Sequence, residues 1–210
     1  MPQTTSTPEH FPCELISWER FDELAQQLGD KIVADGFVPD LIIAIARGGY
    51  LPARLLSDRL GLFDLDCIRI EHYQGIHKSL QARVRYPLSA EISDRQILLV
   101  DDVSDSGDTF EVALKHLKQK GSAAAIRTAV LHHKFTASYR PDYRAVELRE
   151  WCWIIFPWAV LEDLRSLLAR MQPTPNSIDA FAKLLKQRHG LELSPGQLEA
   201  AFVSVSPDER

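Results

Sequence analysis

ILLVDDVSDSGDTFEVAL, residues 97–114, sets four aliphatic residues in front of two adjacent aspartates, then Ser, Gly and Thr, then an apolar pattern of helical spacing. The spacing predicts a buried strand, a loop and a helix in that order. The first N–H groups of a helix have no partner within it, so Ser106, Gly107 and Thr109 at its start form a natural anion site, and Gly107 allows close approach and a positive φ. Carboxylates aimed at an anion would repel it. Asp101 and Asp102, which sit where the strand emerges, should therefore accept hydrogen bonds from hydroxyls beside that anion. A sugar phosphate meets both demands.

Working outward, the same alternation recurs. Ser17 can cap a helix in which Trp18, Phe21, Leu24, Leu28 and Ile32 recur at three- and four-residue steps, ending near Gly36. DLIIAIA, 40–46, is a continuous apolar run of strand length, as expected for a strand buried on both faces. YLPARLLSDRLG reads as a helix closed by Gly61, DCIRIEHY as a strand, the segment from Thr109 to about Lys120 as a helix, and AIRTAVLHH as a further strand. Residues 74–95 form a long excursion in which RVRYPL could be half of a hairpin. Such alternation predicts an α/β fold: an open, mostly parallel sheet flanked by helices, with right-handed crossovers and the ligand beyond the carboxyl ends of the strands. The loops after Ala46, Val100 and His133 should share that edge. Beyond WCWIIFPW, a helix from Val160 to Arg170, the linker QPTPNS and two helical patterns near 178–188 and 197–202 suggest a small C-terminal helical appendage. It could pack on the domain, join a dimer contact or bind a partner.

Composition bounds the function. With 210 residues and 45% hydrophobic content there is enough chain for one full core, and a net charge of -5 argues against broad attraction to nucleic acid or anionic membrane. Cys13, Cys67 and Cys152 lie far apart without C-x-x-C spacing, which favours a reducing, cytoplasmic setting. MPQTTSTPEHFP lacks the apolar stretch of a signal peptide, and LIIAIA and ILLV are too short to span a bilayer, so neither export nor membrane insertion is expected.

Rival readings of the opening stretch fit less well. A response-regulator receiver needs an Asp at the end of the next buried strand, where this chain has His132, His133 and Lys134. An EF-hand loop starting at Asp102 finds its Gly at the sixth position but Ala113 at the twelfth, where a bidentate Glu is needed. A plain polar turn before a capped helix remains open on spacing alone.

The residues also carry a family resemblance. ILLVDDVSDSGDT resembles the signature of type I phosphoribosyltransferases. IARGGYLPARLLSDRLG, HHK and WCWIIFPW follow the order of the pyrophosphate loop, base-recognising Lys and aromatic hood of the bacterial and archaeal 6-oxopurine enzymes. The similarity covers about Trp18 to Val160. It implies that Asp101 and Asp102 hold the ribose hydroxyls of phosphoribosyl pyrophosphate (PRPP), and that Asp105, Ser106, Gly107, Asp108 and Thr109 cradle its 5′-phosphate. Arg47, Gly48 and Gly49 would meet the pyrophosphate, with a nonproline cis peptide at Ala46-Arg47. Mg2+ would bridge pyrophosphate and sugar oxygens, with Asp101 and Asp102 as the chain's own candidates for contact.

For the base, the resemblance implies Lys134, Trp153 stacked on the purine, and Ile154. Ile154, Ile155 and Phe156 replace polar residues of the family, which opens the choice among xanthine, guanine and hypoxanthine. Asp105 would be the general base, and Tyr73 would open a lid over 73–95. His132 and His133 read as structural rather than metal-binding, and Trp151, Trp153, Phe156 and Trp158 form the densest aromatic cluster. The expected organisation is a polar head (1–16), a phosphoribosyltransferase domain (17–160, hood 149–159) and the helical appendage (161–210). The expected function is purine salvage, as a homodimer or homotetramer. A PRPP- or nucleotide-sensing regulator, or transfer to another base, is the alternative.

Overall fold

The structure, a computed structural model, describes residues 10–74 and 80–203. Its elements in chain order are β1 (Cys13–Leu15), α1 (Trp18–Ala34), β2 (Leu41–Ala46), α2 (Tyr50–Leu60), β3 (Leu65–Gln74), β4 (Leu80–Tyr86), β5 (Gln96–Ser104), α3 (Asp108–Lys120), β6 (Ala125–Lys134), β7 (Tyr143–Leu148), β8 (Trp153–Ile155), α4 (Val160–Arg170), α5 (Ile178–His189) and α6 (Pro195–Phe202). Among the described residues no helix is long and apolar enough to cross a membrane.

The chain divides into two compact units. The larger, Asp22–Trp151, is built on a six-stranded sheet of order β4-β3-β2-β5-β6-β7. All its neighbours are parallel except the β3–β4 hairpin at one edge. LIIAIA sits at the centre, and its first five residues are buried because both faces of the sheet are covered. Leu41, Ile43, Ile45, Ile97, Leu99 and Val130 share a cluster with Phe110, Ala113 and Leu117 of α3, so α3 lies on one face. Alternation turns Ile42, Ala44, Leu98 and Val100 to the other face, where they are fully buried. α2 ends as its sequence predicts: Gly61 takes φ 65° and returns its N–H to Asp58 and Ser57 carbonyls. The β7 edge is covered in part by Lys31 of α1, which donates to the carbonyls of Arg144 and Ala145.

The smaller unit takes the described residues of Met1–Phe21 and Cys152–Arg210. Here β1 and β8 pair in parallel, Cys13 opposite Trp153. Trp158 stacks on Phe156 and meets the edge of Phe21. His189 of α5 bonds the Phe11 carbonyl at 3.0 Å, and Ser177 and Ser194 cap α5 and α6.

Four elements differ from the sequence expectation, one of them β8, which lies in the WCWIIFPW segment expected as a hood with no strand of its own. β5 does not stop at Val100 but runs through both aspartates to Ser104, because β6 extends far enough to pair Val103 with His132 and Ser104 with His133. β1 and β7 have no counterpart in the expected elements, being short and lacking a clear alternating pattern. The first four residues of RVRYPL, Arg83 to Tyr86, do form part of a hairpin, as the end of β4. Residues 75–79 of the expected lid and the side chain of Tyr73 lie outside the described residues.

Phe110 is 1% exposed, whereas Phe63 is 94% exposed. Phe110→Ala should cost about 3–5 kcal/mol of unfolding free energy in a denaturant titration, and Phe63→Ala less than about 0.5 kcal/mol.

Candidate functional site

The loops after β2, β5 and β6 meet at the carboxyl edge of the sheet, since these three strands are parallel neighbours. The loop after β2 holds Arg47, Gly48 and Gly49, and the Ala46-Arg47 peptide is cis. Gly49 is buried, and a Cβ there would lie 2.8 Å from Asp101 Cα and 2.8 Å from the Ile45 carbonyl oxygen. A Cβ on Gly48 would overlap the Asp102 carboxylate. The two glycines therefore let this loop lie directly on the acid pair, with the exposed Arg47 beside it.

Asp101 is 7% exposed and Asp102 half-buried. Each accepts a backbone N–H from the residue after it: Asp102 N to Asp101 Oδ1 at 3.0 Å, and Val103 N to Asp102 Oδ1 at 2.7 Å. Burial holds the carboxyls of both above the ordinary carboxylate range, and for Asp101 the neighbouring charge of Asp102 adds to it. Such a pair favours a ligand that brings proton donors or a cation.

After β5 the chain turns through Asp105, Ser106 and Gly107 into α3, whose first helical residues are Asp108 and Thr109. Gly107 is the N-cap residue, with φ 98° and no side-chain cap, so the N–H groups of the first turn are not covered by a side chain of the N-cap. Ser106 Oγ accepts from Asp108 N at 3.4 Å. The loop expected to bind an anion thus has an open helix start beside the acid pair.

Lys134 ends β6 and is only 2% exposed, so it is not the solvated strand-end lysine its position suggests. Its Nζ donates to Asp105 Oδ2 at 2.9 Å and lies 4.8 Å from the centre of the Trp151 ring. A buried ammonium needs such compensation, here a carboxylate and an aromatic face. His132 and His133 are buried in β6, consistent with a structural place. Burial, followed by nearby Arg144, pushes the His133 imidazole pKa down.

Trp153 and Ile154 belong to the smaller unit. Trp153 is 38% exposed and donates from Nε1 to Asp163 Oδ1 at 3.1 Å, whereas Ile154 is buried, so its side chain is a packing group there. Sequence reasoning placed the loop after His133 at this edge but named none of its residues, and it missed Trp151 as a partner of Lys134. Neither carries a local signal, because their partners are distant in the chain.

Known proteins match this arrangement. The family described as phosphoribosyl transferase domain matches residues 17–163. The xanthine-guanine phosphoribosyltransferase of Desulfotalea psychrophila is 30% identical over 145 residues, 68% of this chain and 84% of that protein. The enzyme of the same name from Idiomarina loihiensis is 27% identical over 144 residues, with the same coverage. The crystal structure of a purine phosphoribosyltransferase from Pyrococcus horikoshii is 34% identical, covers 70% of this chain and 93% of its own, and superposes with a TM-score of 0.61. With a family match across most of its length and the acid pair, glycine loop and open helix start gathered at one sheet edge, this chain belongs to the phosphoribosyltransferase family.

Proposed function

We propose that the protein transfers the phosphoribosyl group of PRPP to a 6-oxopurine, releasing pyrophosphate and a nucleoside 5′-monophosphate in purine salvage. It would work in the cytoplasm as a homodimer or homotetramer. The observation that carries this reading is the packing of Gly48 and Gly49 onto Asp101 and Asp102, which joins a glycine loop suited to an anion to a carboxylate pair suited to a diol.

Asp101 and Asp102 accept the ribose hydroxyls, the N–H groups and hydroxyls of Asp105 to Thr109 take the 5′-phosphate, and Arg47, Gly48 and Gly49 face the pyrophosphate. The C1′–oxygen bond to pyrophosphate breaks, a purine ring nitrogen bonds C1′, and the proton on the purine passes to Asp105. Lys134 holds Asp105 Oδ2, so Oδ1 is the oxygen left to take that proton. Lys134 offers only donors, which suits a 6-oxo group and not the 6-amino group of adenine. Trp153, an exposed ring of the smaller unit, is the residue that the family resemblance assigns to stacking on the base, and Ile154 lies beside it in sequence.

Among the described residues no group of three or more His, Cys, Asp or Glu is placed to hold a metal. The two carboxylates fit Mg2+, a hard cation that commonly takes one or two carboxylates and completes its shell with phosphate oxygens and water. Bound there, Mg2+ would neutralise charge on the departing pyrophosphate, and Asp101 and Asp102 are the residues that would hold it.

The decisive assay incubates the protein with PRPP, Mg2+ and a panel of bases. Pyrophosphate release with xanthine, guanine or hypoxanthine and none with adenine is expected; PRPP binding without release on any base would instead favour a sensor. Asp105→Asn should lower kcat by about 10²–10⁴-fold and leave the Kd for PRPP nearly unchanged. A folded variant of undiminished kcat would remove Asp105 from proton transfer.

The raised carboxyls give a third expectation. Between the ordinary carboxylate pKa and the raised one, the folded protein keeps protons that the unfolded chain has released. The contribution of the pair to stability is therefore greatest at low pH and falls as pH climbs through the raised range. Asp102→Asn removes one charge and relieves Asp101. In thermal melts without ligand, the variant should lose less stability than wild type as pH rises from about 4 through about 6, while losing PRPP affinity. Identical pH profiles would show that the pair is not charged against its surroundings.

A further inference from the structure

The loop after β6, residues 135–142, touches residues 105–107 at Thr136, Ser138 and Tyr139. Ser138 donates its backbone N–H to the Ser106 carbonyl at 2.8 Å, and its single hydroxyl proton has two acceptors in reach, the same carbonyl at 2.9 Å and Glu111 Oε1 of α3 at 3.1 Å. Thr136 Oγ1 donates to the Asp105 carbonyl at 3.3 Å. Gly107 sits so close that a Cβ would lie 2.6 Å from Tyr139 N and 2.7 Å from Ser138 Oγ. Two successive carbonyls of the anion loop are thus turned toward this second loop.

The second loop is itself pinned. The Tyr139 ring stacks on Phe110 in the first turn of α3, with centroids 5.3 Å apart, and its hydroxyl meets buried Thr128 Oγ1 at 3.1 Å. Thr128 in turn donates from N and Oγ1 to Asp142 at 2.8 Å each, and Asp142 N returns a bond to Thr128 Oγ1 at 3.0 Å. Ser104 Oγ reaches the Tyr139 carbonyl at 3.3 Å.

We infer that Ser138 is a positioning residue for phosphate binding. By holding the Ser106 carbonyl from outside, on a loop locked through Tyr139, Thr128 and Asp142, it fixes the peptide plane that aims the Gly107 N–H at the 5′-phosphate. Ser138 touches no substrate in this assignment, which rests on the proposed phosphoribosyl reading of the site. Ser138 is exposed, so removing its hydroxyl leaves the core intact.

The test measures binding of ribose 5-phosphate, which engages the anion loop, and of inorganic pyrophosphate, which engages the Arg47 loop, by calorimetry, together with steady-state kinetics. Ser138→Ala should weaken ribose 5-phosphate about fivefold, the equivalent of one lost hydrogen bond, and raise the KM for PRPP by a similar factor with kcat changed much less. Pyrophosphate affinity should hold, and Ser138→Thr, which keeps the hydroxyl, should restore wild-type values. Wild-type affinity for ribose 5-phosphate that Ser138→Ala leaves untouched, or equal weakening of both ligands, overturns the assignment alone. A wild-type protein with no affinity for ribose 5-phosphate overturns the phosphoribosyl reading and this assignment with it.

Discussion

Two carboxylates buried side by side at the end of a parallel sheet are the constraint on which the rest of the site turns. Asp101 and Asp102 repel each other in a place where water cannot fully screen them, and burial alone already favours their neutral forms. The fold keeps both by giving each one backbone N–H. Those bonds cannot satisfy a carboxylate with two oxygens and several lone pairs. The remaining capacity faces a loop with no side chain at Gly48 or Gly49, so the approach is narrow and its lining is backbone. A group that brings hydroxyl donors or positive charge gains most there, and an unaccompanied anion is turned away toward the start of α3.

Much of this frame is legible in the amino-acid order alone. LIIAIA signals a doubly buried strand, Gly61 signals the end of α2, and the boundaries of α4 fall at Val160 and Arg170 as its apolar spacing indicates. These are local signals, each written within a dozen residues. The extension of β5 to Ser104 is not legible in that way, because Asp is a poor strand former and the ladder that holds it comes from β6, some 30 residues on. The same holds for β1 and β7, whose partners carry the information that their own short sequences lack. Within the site, the acid pair and glycine loops stand out because their residue types are rare together. Ser138 and Tyr139 do not, since TASYRPD reads as an ordinary polar turn and its meaning lies in carbonyls of a distant loop.

Lys134 shows why position in a strand is a poor guide to burial. A lysine closing a strand is usually solvated, yet this one is almost wholly enclosed. The cost of taking an ammonium from water is several kcal/mol, and neither an ion pair nor a ring face would offset it alone. Asp105 and Trp151 act together, the first supplying a hydrogen-bonded charge and the second a π face. Asp105 is 43% exposed, so the pair spans the boundary between interior and solvent. The cation is thereby held on the dry side and its carboxylate on the wet side.

That asymmetry orders the whole edge by charge. The acid pair lies at the end of β5, the open helix start follows at α3, and the enclosed ammonium ends β6. Asp105 belongs to two of these zones at once: its backbone carbonyl is held by Thr136 while its side chain meets Lys134. Any shift of the anion loop must therefore also move the carboxylate that compensates the buried cation. The geometry of the loop before α3 and the environment of Lys134 are linked through one residue, and a loop pinned as firmly as that between β6 and β7 keeps both in register.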